Sequence, residues 1–130
     1  MNKKIDFEKI TDKEFYKLVN NTKKDWVLKQ CVENATPEQC EYLAVDAKTD
    51  EIAMMFAEKL LPVATPEQCR YLAEHAKTDE IAMMFAKKLL PVATSEQCKY
   101  LAKYAKTSKI RMMFADKLSN KPKPYYTQFL

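Results

Sequence analysis

The stretch from Ala64 to Val92, ATPEQCRYLAEHAKTDEIAMMFAKKLLPV, repeats the 29-residue block Ala35 to Val63 with only four differences. The next block, Ala93 to Lys121, is a more diverged copy, ATSEQCKYLAKYAKTSKIRMMFADKLSNK. A tandem unit of this length cannot bury its apolar face alone, so neighbouring units must stack to build a shared core. The period predicts an all-α chain folded as an α-solenoid, a right-handed superhelix of about four two-helix repeats.

The fourth repeat is a degenerate one at the start. Residues 11–35, TDKEFYKLVNNTKKDWVLKQCVENA, align with the second unit after a shift of 25 positions. Thr11 then falls on Thr36, Phe15 on Cys40, Leu18 on Leu43, Lys23 on Lys48, Asp25 on Asp50, Val27 on Ile52 and Cys31 on Phe56. The unit is shorter because it lacks the LLPV connector, and a degenerate terminal unit is expected where one face meets water. Residues 1–121 read as one domain with repeats 11–35, 35–63, 64–92 and 93–121, followed by a Pro- and aromatic-rich tail, 122–130. Ile5, Phe7 and Ile10 are placed to cover the first unit, and Tyr125, Tyr126, Phe129 and Leu130 either to fold back over the last or to reach for a partner.

Each unit carries two helix starts. Thr36-Pro-Glu-Gln39, Thr65-Pro-Glu-Gln68, Thr94-Ser-Glu-Gln97 and Thr11-Asp-Lys-Glu14 are capping boxes. In these the threonine hydroxyl accepts from a free backbone N–H and the Gln or Glu side chain returns to the N–H of the cap. Pro37 and Pro66 stand at the first helical position, where a missing N–H costs nothing. Cys40, Leu43, Ala44 and Ala47 follow at helical spacing as one buried stripe. After a break at Ala47-Lys48, Thr49 caps a second helix running to about Leu61, with Asp50 and Glu51 favourable to its dipole. Ile52, Met55, Phe56 and Leu60 form its apolar stripe, while Ala53 and Ala57 allow close approach of a neighbour. Pro62 and Pro91 end these helices. The LLPVA connector is apolar for a loop and is expected to pack under the next helix.

Composition narrows the alternatives. The chain has no glycine, which disfavours β-hairpin turns and phosphate-cradling loops. The charged amino terminus lacks the apolar run of a signal peptide. No segment approaches the ~18 consecutive apolar residues of a membrane span. A cytoplasmic location is therefore expected, with no membrane partner, no cofactor and no metal. Cys31, Cys40, Cys69 and Cys98 then read as reduced, buried small hydrophobes.

Thr11, Leu18, Asp25, Val27, Val32 and Asn34, followed directly by Thr36-Pro37, carry a resemblance to the leucine-rich repeat variant family, within the wider HEAT-like α-solenoids. The resemblance covers residues 11–118 and implies a superhelix of paired short helices. It supplies no catalytic residues. Relatives in that group bind proteins, and some HEAT-like members bind DNA. The longer units depart from the pattern by the added LLPV.

No catalytic constellation stands out. His75 is the only histidine; its equivalents are Asp46 and Tyr104, so no ligand or base recurs. The four differences between the two best copies fall at 41/70, 45/74, 46/75 and 58/87, and positions 41 and 45 are expected to be solvated. On the second helix, Met54, Met83 and Met112 occupy equivalent places bracketed by charges, with Glu58, Lys87 and Asp116 one turn on. Met55, Met84 and Met113 are expected nearer the core. A partly exposed methionine row offers adaptable apolar contact to a partner. The reading is a non-enzymatic protein-interaction module, adaptor or inhibitor, binding through Met54, Glu58, Met83, Lys87, Met112 and Asp116, as a monomer or homodimer. The alternative is binding of nucleic-acid phosphates by Lys99, Lys103, Lys106, Lys109 and Arg111. Net charge is −4 over residues 35–63, zero over 64–92 and +6 over 93–130, so a basic surface exists only at the last unit.

Overall fold

The computed structural model describes residues 5–119, and over them the chain is all-helical with no strand. Eight α-helices are present among these residues: α1 Asp12–Asn21, α2 Asp25–Asn34, α3 Pro37–Asp46, α4 Asp50–Leu60, α5 Pro66–His75, α6 Asp79–Leu89, α7 Ser95–Tyr104 and α8 Ser108–Ser119. They pack as adjacent pairs, α1 with α2, α3 with α4, α5 with α6 and α7 with α8. From pair to pair, α1, α3, α5 and α7 lie side by side and α2 lies against α4. The tail after Lys121, with its aromatic residues, lies outside the described residues.

The helix starts form as their local chemistry requires. Thr11, Thr36, Thr65 and Thr94 each close a complete capping box with Glu14, Gln39, Gln68 and Gln97. Thr49 and Thr78 cap α4 and α6 through the N–H groups of Ile52 and Ile81. Lys24, at the corresponding place before α2, makes no side-chain cap, which is the local mark of the diverged first unit.

The core is continuous. Phe15, Phe56, Phe85 and Phe114 are its largest fully buried side chains, and Phe15 meets Phe56 edge to face at 6.3 Å and Phe7 at 6.1 Å. On α3, Cys40, Leu43 and Ala44 are buried, with Ala47 just beyond the helix. On α4 the fully buried face is Ala53, Phe56, Ala57 and Leu60, one residue round from the expected stripe; Ile52 and Met55 are only half-buried. No charged or polar side chain is buried among the described residues.

Two bonding patterns tie one pair to the next. The Lys77 N–H donates to the Ala44 carbonyl at 2.8 Å, and the Lys106 N–H to the Ala73 carbonyl at 2.9 Å. At the first junction the Lys48 N–H takes the Asn20 side-chain oxygen instead, at 2.8 Å. The second pattern is a lysine ammonium reaching back to the end of the preceding pair. Lys59 donates to the Val32 and Glu33 carbonyls, Lys88 to Leu61 and Lys117 to Leu90. The Lys77 and Lys106 bonds satisfy carbonyls near a helix end, while the ammonium groups add a second donor to the Val32, Leu61 and Leu90 carbonyls, which also accept the N–H groups of Ala35, Ala64 and Ala93 at 3.4 Å.

The connector departs from expectation. Leu61–Val63 and Leu90–Val92 are single 3₁₀ turns that continue α4 and α6. Leu61 and Leu90 pack against the core, but Val63 and Val92 are 65% and 67% exposed. The turn spends its one inward direction on the leucine, and the proline and valine that follow point to solvent. Ile5, Phe7 and Ile10 do pack against the first pair, as expected.

Candidate interaction surface

The methionine row runs along α4, α6 and α8. Met54 and Met83 are half-buried and rest on the core, whereas Met112 is 63% exposed. Met84 and Met113 also rest on the core, and Met55 is half-buried. Glu58, Lys87 and Asp116 are exposed. Between the starts of α4 and α6 lies an open groove of about 510 Å³, lined by Asp50, Glu51, Met54, Thr78 and Glu80. The methionine supplies its apolar wall and three carboxylates its rim.

Positions 41, 45, 70 and 74 are not the wet face expected of them. Glu41 and Val45 are half-buried, and the side chains of Arg70 and Glu74 retain only 21% and 16% exposure. The Arg70 guanidinium lies 4.7 Å from the centre of the Tyr100 ring and also pairs with Glu67 at 2.6 Å. The Tyr100 hydroxyl donates to Glu74 at 2.7 Å, a bond that raises the Tyr100 pKa because it holds the phenol proton. Burial likewise raises the Glu41 carboxyl, offset in part by a hydrogen bond from Gln68. These positions form the seam between successive first helices, and their changes from unit to unit set the charge of that seam.

Sequence reasoning passed over the tyrosines. Tyr42, Tyr71 and Tyr100 occupy the same place in three units, outside the buried stripe, and Tyr42 and Tyr71 are exposed. Tyr16 stacks on Tyr42 at 4.1 Å, Tyr71 contacts His75 at 4.8 Å and Tyr100 contacts Tyr104 at 4.9 Å. The signal that would have found them is identity between copies at a place the core does not require. His75 sits beside Glu74, with Nε2 3.3 Å from the carboxylate.

The basic residues of the last unit differ in exposure. Lys99, Lys103, Lys106 and Lys109 are exposed, and Lys103 lies 5.3 Å from the centre of the Tyr104 ring. Arg111 is half-buried and spends its guanidinium on the Ala105 carbonyl and the Ser108 hydroxyl, both at 2.9 Å.

All four thiols are buried. Burial pushes Cys31 and Cys40 up from 9.0 to about 11. In the unfolded chain these protons leave first, so the buried thiols stabilise the fold fully below pH 9.0 and lose that contribution as the pH rises toward about 11. The urea midpoint should therefore fall over this alkaline window. A Cys31→Ala, Cys40→Ala double variant should show a shallower fall; an equal slope would remove the thiols as its cause.

Among the described residues no cluster of His, Cys, Asp or Glu is arranged to hold a metal, and no helix is long and apolar enough to cross a membrane. Compared with known proteins, the chain matches no family model, no curated protein and no solved structure.

Proposed function

We propose that the chain is a non-enzymatic protein-binding module, an α-solenoid of four stacked units akin to the leucine-rich repeat variant and HEAT-like proteins. It works as a small cytoplasmic adaptor or inhibitor, by occupying its partner. The binding surface is the row Met54, Met83 and Met112 with Glu58, Lys87 and Asp116 beside it. The observation that carries this reading is the groove at Met54, an apolar wall with a polar rim open to solvent, which is the anatomy of a recognition surface. The equivalent inter-unit bonds of Lys77 and Lys106, and of Lys88 and Lys117, support the stacked arrangement.

A pull-down from native cell extract tests it, comparing wild type with Met54, Met83 and Met112 all changed to Glu. Because Met54 and Met83 rest on the core, a second variant reverses only the exposed charges: Glu58→Lys, Lys87→Glu and Asp116→Lys. Loss of the same partner in both variants is the expected result. An unchanged partner list in a variant with native circular dichroism would sink the reading. Phosphate-backbone binding by Lys99, Lys103, Lys106 and Lys109 is the alternative, favoured by their exposure. A gel shift that weakens steeply with salt would support it instead.

A further inference from the structure

The two ends of the helix array differ. At the first pair, Ile5, Phe7 and Ile10 lie over the core, and Phe7 meets Phe15 edge to face at 6.1 Å. At the last pair, the flank that earlier units turn toward their successors is exposed at Lys99, Lys103, Lys109 and Met112 and carries no further helix among the described residues. The comparison is residue by residue. Arg70 and Glu74 are covered by Tyr100 of the following pair; their equivalents Lys99 and Lys103 are exposed. Met54 and Met83 are half-buried, whereas their equivalent Met112 is 63% exposed. Glu51, Glu80 and Lys109, equivalent to one another, are all exposed, and the first two line the groove beside Met54.

The flank of the last pair is also more basic than its counterparts, although Arg70 already stands at the place of Lys99. Where the second unit has Glu41, Asp50 and Glu51, the last has Lys99, Ser108 and Lys109; where the third has Glu74, the last has Lys103. Glu74 accepts the hydroxyl of the following tyrosine, and a lysine there cannot, since an ammonium only donates. The flank keeps a methionine at the centre of an inter-unit contact and carries Lys103 in place of the acceptor Glu74.

We propose that the outward flank of α7 and α8, centred on Met112 and bounded by Lys99, Lys103 and Lys109, docks an acidic amphipathic helix of a partner protein in the place a further helix pair would occupy. The proposal rests on the protein-binding reading above and names its partner's chemistry at a second surface. Continuity with the inter-unit packing fixes the occupant as helical, and charge complementarity fixes it as acidic. A second copy fits poorly, because its own last flank carries the same lysines and its first pair is covered by residues 5–10. The chain's residues 120–130 contain Lys121 and Lys123 and no acidic side chain, so they are mismatched in charge.

The test uses the full chain and two dye-labelled synthetic helices of one pattern, leucines on one face and either glutamates or lysines on the other. Fluorescence anisotropy should show binding of the glutamate helix only, weakening with salt. Amide shifts should gather at Lys99, Lys103, Lys109 and Met112. Lys99→Glu with Lys103→Glu should weaken binding at least about tenfold, and both substitutions lie at exposed positions. Equal binding of both helices, or of neither, overturns the proposal. Shifts gathered at Met54 and Met83 also overturn it, while leaving the methionine-row reading standing; failure of that reading is seen separately in the pull-down. Two further results would assign the flank to another occupant and refute the proposal. One is a shift of the Met112 methyl signal when Tyr125, Tyr126 and Phe129 are changed to Ser. The other is a dimer in sedimentation that Met112→Glu dissociates.

Discussion

Replacing Phe85 with alanine should cost about 3–5 kcal/mol, the range for deleting a fully buried aromatic ring. Phe85 is 0% exposed, at the centre of α6, and lies within one continuous core that also contains Phe56 and Phe114. Its loss removes the ring's transfer free energy and leaves a cavity that helices on both sides can fill only in part. Domains of this size are stable by roughly 5–15 kcal/mol in total, so the variant should unfold at a much lower urea midpoint. Met112→Ala is the matched control. That side chain is 63% exposed, and a change there should stay within about 0.5 kcal/mol. Equal midpoints for Phe85→Ala and the wild type would contradict the packing of α6 described above. If the units couple as a stack, the loss should lower the whole transition instead of splitting it.

The second large effect is expected at Lys88. Its ammonium donates to the Leu61 carbonyl, at the 3₁₀ turn that ends the preceding pair. Lys59 and Lys117 make the corresponding bonds to Val32 and Leu90. A carbonyl at a helix end carries the negative pole of the helix dipole, and a cation beside it is favourable. Lys88→Met keeps the aliphatic stem and removes the donor. The expected cost is about 1.5–3 kcal/mol, as for hydrogen bonds to charged groups. Its neighbour Lys87 is exposed, and Lys87→Met should change stability by less than about 0.5 kcal/mol. Chemical denaturation of the two variants side by side checks this directly. Identical midpoints would show that the reach of Lys88 across the junction contributes nothing.

These two adjacent lysines also show where sequence reading stops. The difference between Glu58 and Lys87 was visible as a change between copies, and both positions are exposed. Lys59 and Lys88 are identical in the two copies and gave no such signal, yet they hold one pair to the next. Identity between copies was equally the only trace of Tyr42, Tyr71 and Tyr100. At positions 41, 45, 70 and 74 the periodicity of one helix pointed to water, and the neighbouring helix covers them instead. For Val63 and Val92 the error ran the other way, toward burial.

Of the candidate surface, the sequence located the methionine row and its flanking charges, because helical spacing alone places Met54, Glu58 and their equivalents on one stripe. It did not separate Met112 from Met54 and Met83. Their chemical identity is the same; their exposure differs, with Met112 63% exposed and Met54 and Met83 half-buried.

What the sequence by itself determined is everything that depends on a few neighbouring residues. That includes the threonine caps with their Gln or Glu partners, the breaks at Ala47 and Ala76, the proline-marked helix ends, the all-helical class and the buried Cys, Leu and Ala stripe of α3, α5 and α7. Caps act over three residues and stripes over one or two turns, so both are written locally. Only the tertiary structure decided which flank of each helix meets the next pair, where the lysine ammonium groups land, and which methionine of the row is exposed. Those depend on the rotation between successive pairs, which is set by side chains 25 to 29 positions apart packing against one another and by no single segment of the chain.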